Sequence, residues 1–118
     1  MTNPREFECI DVFGVKVSCS KKRWGHIIKH AEMANLQNLV KSIIIKPDFV
    51  NRSRLYANAF TFYRKCLLTQ LGRDERYIRV ALQYNVDEEQ KFCGGVMSAM
   101  ACDGSQLGEV LIWKGRAI

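Results

Sequence analysis

The two histidines of this 118-residue chain, His26 and His30, stand four positions apart in Trp24-Gly25-His26-Ile27-Ile28-Lys29-His30. On a helix that spacing brings two side chains to one side. The apolar positions Trp24, Ile27, Ile28 and Ala31 define a helical face; His26 points nearly opposite to it and His30 lies at its border. Such a pair can hold a metal ion, move protons near neutral pH, or simply meet solvent. The zinc-protease signature places a glutamate directly after its first histidine. Ile27 stands there instead, and no further metal ligand is marked.

Arginines are the second group able to do chemistry. Arg52 and Arg54 alternate with Asn51 and Ser53, so a strand would turn both toward one side, where they could hold a phosphate or face water. Tyr63-Arg64-Lys65 follows on the next stretch, with Tyr63 and Arg64 facing opposite ways. Arg79 lies in the middle of Tyr77–Tyr84, whose Ile78, Val80, Leu82 and Tyr84 share the other face. A charge inside a central strand requires a carboxylate partner or an anionic ligand, and the expectation for Arg79 leans toward a ligand. Ser98, between Met97 and Ala99, can sit beside Arg79. Trp24 and Trp113 read as packing residues. No phosphate-binding glycine loop, nucleophile elbow or paired-carboxylate site is visible, and Gly94-Gly95 lacks the helix a phosphate loop needs.

The elements that must position these residues follow from periodicity. Phe7–Phe13 and Val15–Ser18, separated by Gly14, suggest two short strands or a hairpin. Ser20 can cap the histidine helix. Leu36, Leu39, Val40, Ile43 and Ile44 give a second amphipathic helix, ended by Lys46-Pro47-Asp48. The period then becomes two. Phe49–Leu55 and Ala59–Leu68 read as strands joined near Ala57-Asn58, and a charged turn at Gly72–Arg76 precedes Tyr77–Tyr84. Phe92–Ala101 follows the polar turn Asp87–Lys91, with a bulge expected at Gly94-Gly95. Asp103-Gly104 turns the chain into Leu107–Trp113. Helices followed by strands argue for an α+β domain. The expectation is one domain over residues 1–118. Its two N-terminal helices would pack on one face of an antiparallel sheet of about four strands, with a short N-terminal hairpin, leaving the other face partly open and polar.

Bulk composition narrows the class. The chain is 47% hydrophobic and 25% charged, as expected of a globular domain. No apolar run approaches a membrane span, and the start carries no apolar leader; a cytoplasmic protein without membrane contact is expected. The net charge of +6 is uneven. Residues 1–65 hold 12 Lys/Arg against 5 Asp/Glu, whereas residues 66–118 hold 6 against 7. A basic half suits a polyanion partner, through counterion release, or a solubilising surface. The five cysteines form no Cys-x-x-Cys pair, so structural thiols are expected rather than a zinc ribbon. No single cysteine stands out as a nucleophile.

In order and spacing, several pieces together resemble the barnase–EndoU–colicin–RelE-like nuclease superfamily, especially its small phage- and toxin-associated members. They are His26-Ile27-Ile28-Lys29-His30 with Glu32; Ile44 through Lys46-Pro47-Asp48-Phe49-Val50; Tyr63; Ile78-Arg79-Val80 with Tyr84; Gly95-Val96-Met97-Ser98-Ala99; and Gly108–Trp113. The resemblance spans residues 20–113. It departs at Ala31, where similar sequences often carry proline. It implies a metal-independent endoribonuclease, needing no cofactor, that cleaves RNA by internal attack of the 2′-hydroxyl. His26 or His30 would be the general base or acid, and Arg79 would stabilise the phosphorane. Tyr63 and Ser98 would position phosphate or supply a proton, with Arg52, Arg54, Arg64 and Lys29 contacting RNA. A cognate antitoxin or immunity protein is the implied protein partner. A non-catalytic RNA- or protein-binding module, or a structural protein of a mobile element, is the alternative.

Overall fold

A computed structural model describes residues 4–29, 33, 36–66 and 76–115. His30, the expected second catalytic residue, and Ala31 and Glu32 beside it lie outside the described residues, as does most of the Gly72–Arg76 turn. The chain is α+β, with β1 (Arg5–Ile10), β2 (Lys16–Ser20), α1 (Lys21–Ile27), α2 (Gln37–Ile45), β3 (Phe49–Arg52), β4 (Ala59–Cys66), β5 (Arg76–Val86), β6 (Phe92–Cys102) and β7 (Val110–Lys114).

Among the described residues these strands form one seven-stranded sheet in the order β1-β2-β6-β5-β4-β3-β7. The antiparallel sheet of about four strands expected from the sequence is therefore corrected to a larger, mixed sheet. The N-terminal hairpin is part of this sheet, because β2 runs parallel to β6 through Lys16–Ser18 and Cys93–Gly95. Gly94 permits the approach: a Cβ there would lie 3.0 Å from Val17 Cγ2 and 2.9 Å from the Tyr84 ring. The bulge expected at Gly94-Gly95 sits instead at Met97, since Ala81 pairs with Ser98 and Leu82 with Val96. At the other end, β7 pairs with β3 rather than β6, through Asn51–Leu111 and Val50–Trp113. Periodicity reveals which residues share a face, not which strand comes alongside.

Register sorts the side chains into two faces. Val50, Phe62, Val80 and Ala99 lie in one row across β3, β4, β5 and β6, and all four are fully buried. Trp24 and Ile27 of α1 and Val40, Ile43 and Ile44 of α2 complete this core with Ile78 and Leu82. Ser20 caps α1 as expected, its Oγ accepting from Arg23 N at 3.0 Å. Helix α2 ends where Lys46, extended ahead of Pro47, donates back to Ser42 O at 2.9 Å. Asp11 ties the hairpin to the sheet by accepting from Phe13 N, Val15 N and the Tyr84 hydroxyl. Burial, then that bond to Asp11, pushes the Tyr84 phenol far above its usual range.

Among the described residues, no helix covers the opposite face. Its rows are Phe49-Tyr63-Arg79-Met100 and Asn51-Thr61-Ala81-Ser98. Segment 103–109, between β6 and β7, passes over part of it and delivers Glu109 onto the sheet.

Candidate functional site on the open sheet face

Arg79 has a carboxylate partner, which answers the question its position raised. Its Nη2 lies 3.6 Å from Glu109 Oε2, with side-chain exposures of 12% and 5%. Arg79 Nε is buried with no hydrogen-bond partner among the described residues. The other oxygen of Glu109 is crowded. Glu109 Oε1 accepts from Tyr63 Oη at 2.6 Å, Asn51 Nδ2 at 3.1 Å and Gln106 N at 3.2 Å. Asn51 Nδ2 also reaches Ser105 Oγ at 3.1 Å. Three donors thus converge on one carboxylate oxygen, and the Arg79 guanidinium lies beside the other.

Tyr63 is fully buried and its ring stacks on Phe49, with centroids 4.8 Å apart. Burial pushes its phenol up to about 12, and the bond to Glu109 adds to the rise. It is therefore a hydroxyl donor at neutral pH. A general base would need the opposite shift.

Beside this network lies a cleft of about 270 Å³. Arg79, Glu109, Thr61 and Ser98 face it from the sheet and from segment 103–109, and Arg54 borders it. One wall is the Ser53–Asn58 segment. Ser53 donates to Ala59 O at 2.8 Å, its Oγ accepts from Leu55 N and Tyr56 N, and Ala59 N donates to Tyr56 O. The other wall is the Gln106–Glu109 turn. Gly108 has φ +88°, and a Cβ there would fall 2.4 Å from Arg54 Cδ. Glycine thus suits both the backbone and the arginine stem packed on it.

The structure gathers three expected site residues, Arg79, Tyr63 and Ser98, on this face, with Arg54 at the cleft. The others lie elsewhere. His26 is exposed on α1, the helix whose Trp24 and Ile27 pack into the covered face. Lys29 is exposed just beyond α1. Arg52 pairs with Phe60, on the covered-face side, and β3 ends there, so Arg52 and Arg54 do not share a strand face. Arg64 holds the end of α2: Nη1 donates to Ser42 Oγ at 3.0 Å, Nη2 to Ser42 O at 2.8 Å, and Nε to Lys46 O at 3.1 Å. That places a cation against helix-terminal carbonyls.

Glu109, Asn51 and Tyr56 carry much of this arrangement but were not singled out from the sequence. The available signal was Glu109 itself, the sole acid between Gly104 and Ile118, set in an otherwise apolar run. Burial raises the thiols of Cys9, Cys66 and Cys102, and that of Cys19 to about 12; none of the five cysteines is in a disulfide. Among the described residues, no three His, Cys, Asp or Glu side chains are grouped to hold a metal ion, and no helix is long and apolar enough to cross a membrane. Comparisons of the chain with protein-family models, characterised proteins and solved structures find no match.

Proposed function

We propose that the cleft is an RNA site and that the protein is an endoribonuclease cleaving there by attack of the ribose 2′-hydroxyl on the adjacent phosphate. The observation that carries this reading is Arg79. It is a nearly buried guanidinium at mid-strand whose Nε has no hydrogen-bond partner among the described residues, beside a cleft edged by a second cation, Arg54. A phosphodiester on that guanidinium would meet fixed positive charge as the phosphorane gains negative charge. Ser98 and Thr61 face the same space and offer hydroxyls to the phosphate oxygens. Glu109 Oε2, free of the donors crowding Oε1, is the nearby atom able to accept the 2′-hydroxyl proton. The proton needed by the departing 5′-oxygen would come from water or from a hydroxyl in the cleft.

A second reading is an RNA-binding module without cleavage. The geometry of Glu109 favours it, because Tyr63, Asn51 and Gln106 N occupy Oε1 and Arg79 lies beside Oε2, which gives the carboxylate a structural task in tying segment 103–109 to the sheet. His26, exposed on the helix side, does not join Arg79 at the cleft.

One assay separates the two: mixed-sequence RNA incubated with purified protein in EDTA, with end-group analysis of the products. The cleavage reading expects 2′,3′-cyclic phosphate ends and a rate about 10²–10³ lower for Arg79→Ala. It expects little change for His26→Ala. Intact RNA, bound in a salt-sensitive manner that weakens in Arg79→Ala, would establish the binding module instead. Cleavage lost in His26→Ala but kept in Arg79→Ala would move the chemistry off this face.

A further inference from the structure

The cleft walls carry side chains that a phosphate alone would not explain. Leu55 is 70% exposed, Tyr56 57% and Leu107 91%, and all three line the same cleft as Arg79. Scattered apolar side chains on a surface are ordinary. Here they gather around a space with two arginines and one glutamate, an excess of one positive charge.

The second feature is immobilisation. Tyr56 is exposed, yet its backbone is pinned on both sides. Ser53 Oγ accepts its N–H at 3.4 Å, and its carbonyl takes the Ala59 N–H at 3.2 Å. Asn58 in the same segment bonds β5 three times: its carbonyl accepts from Tyr84 N and its Nδ2 donates to Tyr84 O, both at 2.9 Å, and to Asn85 Oδ1 at 3.4 Å. The opposite wall is fixed by Gln106 N and Glu109 N, and by Gly108 packed on the Arg54 stem. An aromatic ring on a fixed loop loses little entropy when something flat settles on it.

We infer that Tyr56, with Leu55 and Leu107, forms the seat for one unpaired nucleobase of a single-stranded RNA whose phosphate lies toward Arg79 and Arg54. The inference rests on the RNA reading of the cleft and adds to it a requirement for an unstacked base. A base has an apolar face for Tyr56 and is joined to the anion the arginines need. Stacking of this kind tolerates any base identity. The volume of about 270 Å³ lies just under the usual range of small-molecule pockets, which suits a single base better than a run of them. A paired base inside a helix presents no face to such a seat.

The test uses a labelled single-stranded oligonucleotide bearing 2′-O-methyl groups, which prevent cleavage by 2′-hydroxyl attack, and the same backbone without bases. Affinity is measured by fluorescence anisotropy across a salt series. The wild-type protein is expected to hold the intact strand about tenfold or more tighter than the abasic one. Tyr56→Ala erases that preference while keeping the abasic affinity and its salt slope, and Tyr56→Phe keeps the preference. Circular dichroism confirms that each variant is folded. Equal wild-type affinity for the two strands, or a folded Tyr56→Ala with its preference intact, overturns the base seat and leaves the phosphate reading standing. Binding to neither strand overturns both.

Discussion

The two faces of the sheet are built from the same strands, residue by residue in alternation, yet they follow different rules. On the helix-covered face, Phe62, Ile78, Val80 and Leu82 meet Ile27, Val40, Ile43 and Ile44 in an apolar core. On the open face, Tyr63, Arg79, Asn51 and Glu109 meet one another through hydrogen bonds and charge. The covered face is organised by area removed from water and tolerates many apolar sequences of similar volume. The open face depends on matched partners: removing one leaves another buried polar group uncompensated. That asymmetry places stability largely on one side and leaves the other available for a ligand.

The largest expected effect comes from breaking the covered face. Phe62→Ala should cost about 3–5 kcal/mol in a chemical-denaturation measurement, which approaches the whole stability of a small domain. Glu109→Ala on the open face should cost about 3 kcal/mol, because it strands the Arg79 charge and three donors at once. If Glu109→Ala were neutral, the open-face network would be incidental and segment 103–109 would be held by something else.

Tyr63→Phe is gentler, about 1 kcal/mol at neutral pH, but it has a pH signature. The Tyr63 phenol is raised from its ordinary value of 10 to about 12 in the folded protein. The folded state therefore keeps a proton that the unfolded state releases, so this contribution is complete below pH 10 and is lost as pH rises toward 12. Denaturation midpoints measured across that window should fall less steeply in Tyr63→Phe than in the wild type. Cys19, raised to about 12 by burial, contributes to the same window, so the comparison between the two proteins carries the test.

Arg64→Met gives the smallest change, about 0.5–1 kcal/mol, from the lost bonds to Ser42 and Lys46 at the end of α2. It should leave RNA affinity at the cleft unchanged. A drop in affinity equal to that of Arg54→Ala would return Arg64 to the RNA contacts expected from sequence.

Local features were legible because they repeat at short range. The Ser20 cap, the apolar stripe of α2 and its stop before Pro47, and the alternation through Ile78, Val80 and Leu82 all follow from spacing within about ten residues. So did the open, polar second face and the place of Arg79 on it. What could not be read is the long-range pairing. Tyr63 meets Glu109 46 positions away and Asn51 meets it 58 away. Neither contact leaves a periodic trace. The parallel neighbour of β6 and the outer position of β7 were hidden for the same reason. Arg64 looked free on a strand because the helix terminus it caps approaches only in three dimensions. Arg52 and Arg54 were separated by the early end of β3, where Ser53 takes up the turn.

The most direct test of the central claim is an amide-resolved NMR titration of the protein with a short, cleavage-resistant single-stranded RNA. Changes concentrated at Ser53–Tyr56, Thr61, Arg79, Ser98 and Gln106–Glu109 are the expected result, placing the ligand on the open face. Changes confined to the exposed basic residues of α1 and to Lys29 just beyond it would put RNA on the opposite side of the molecule and contradict the account.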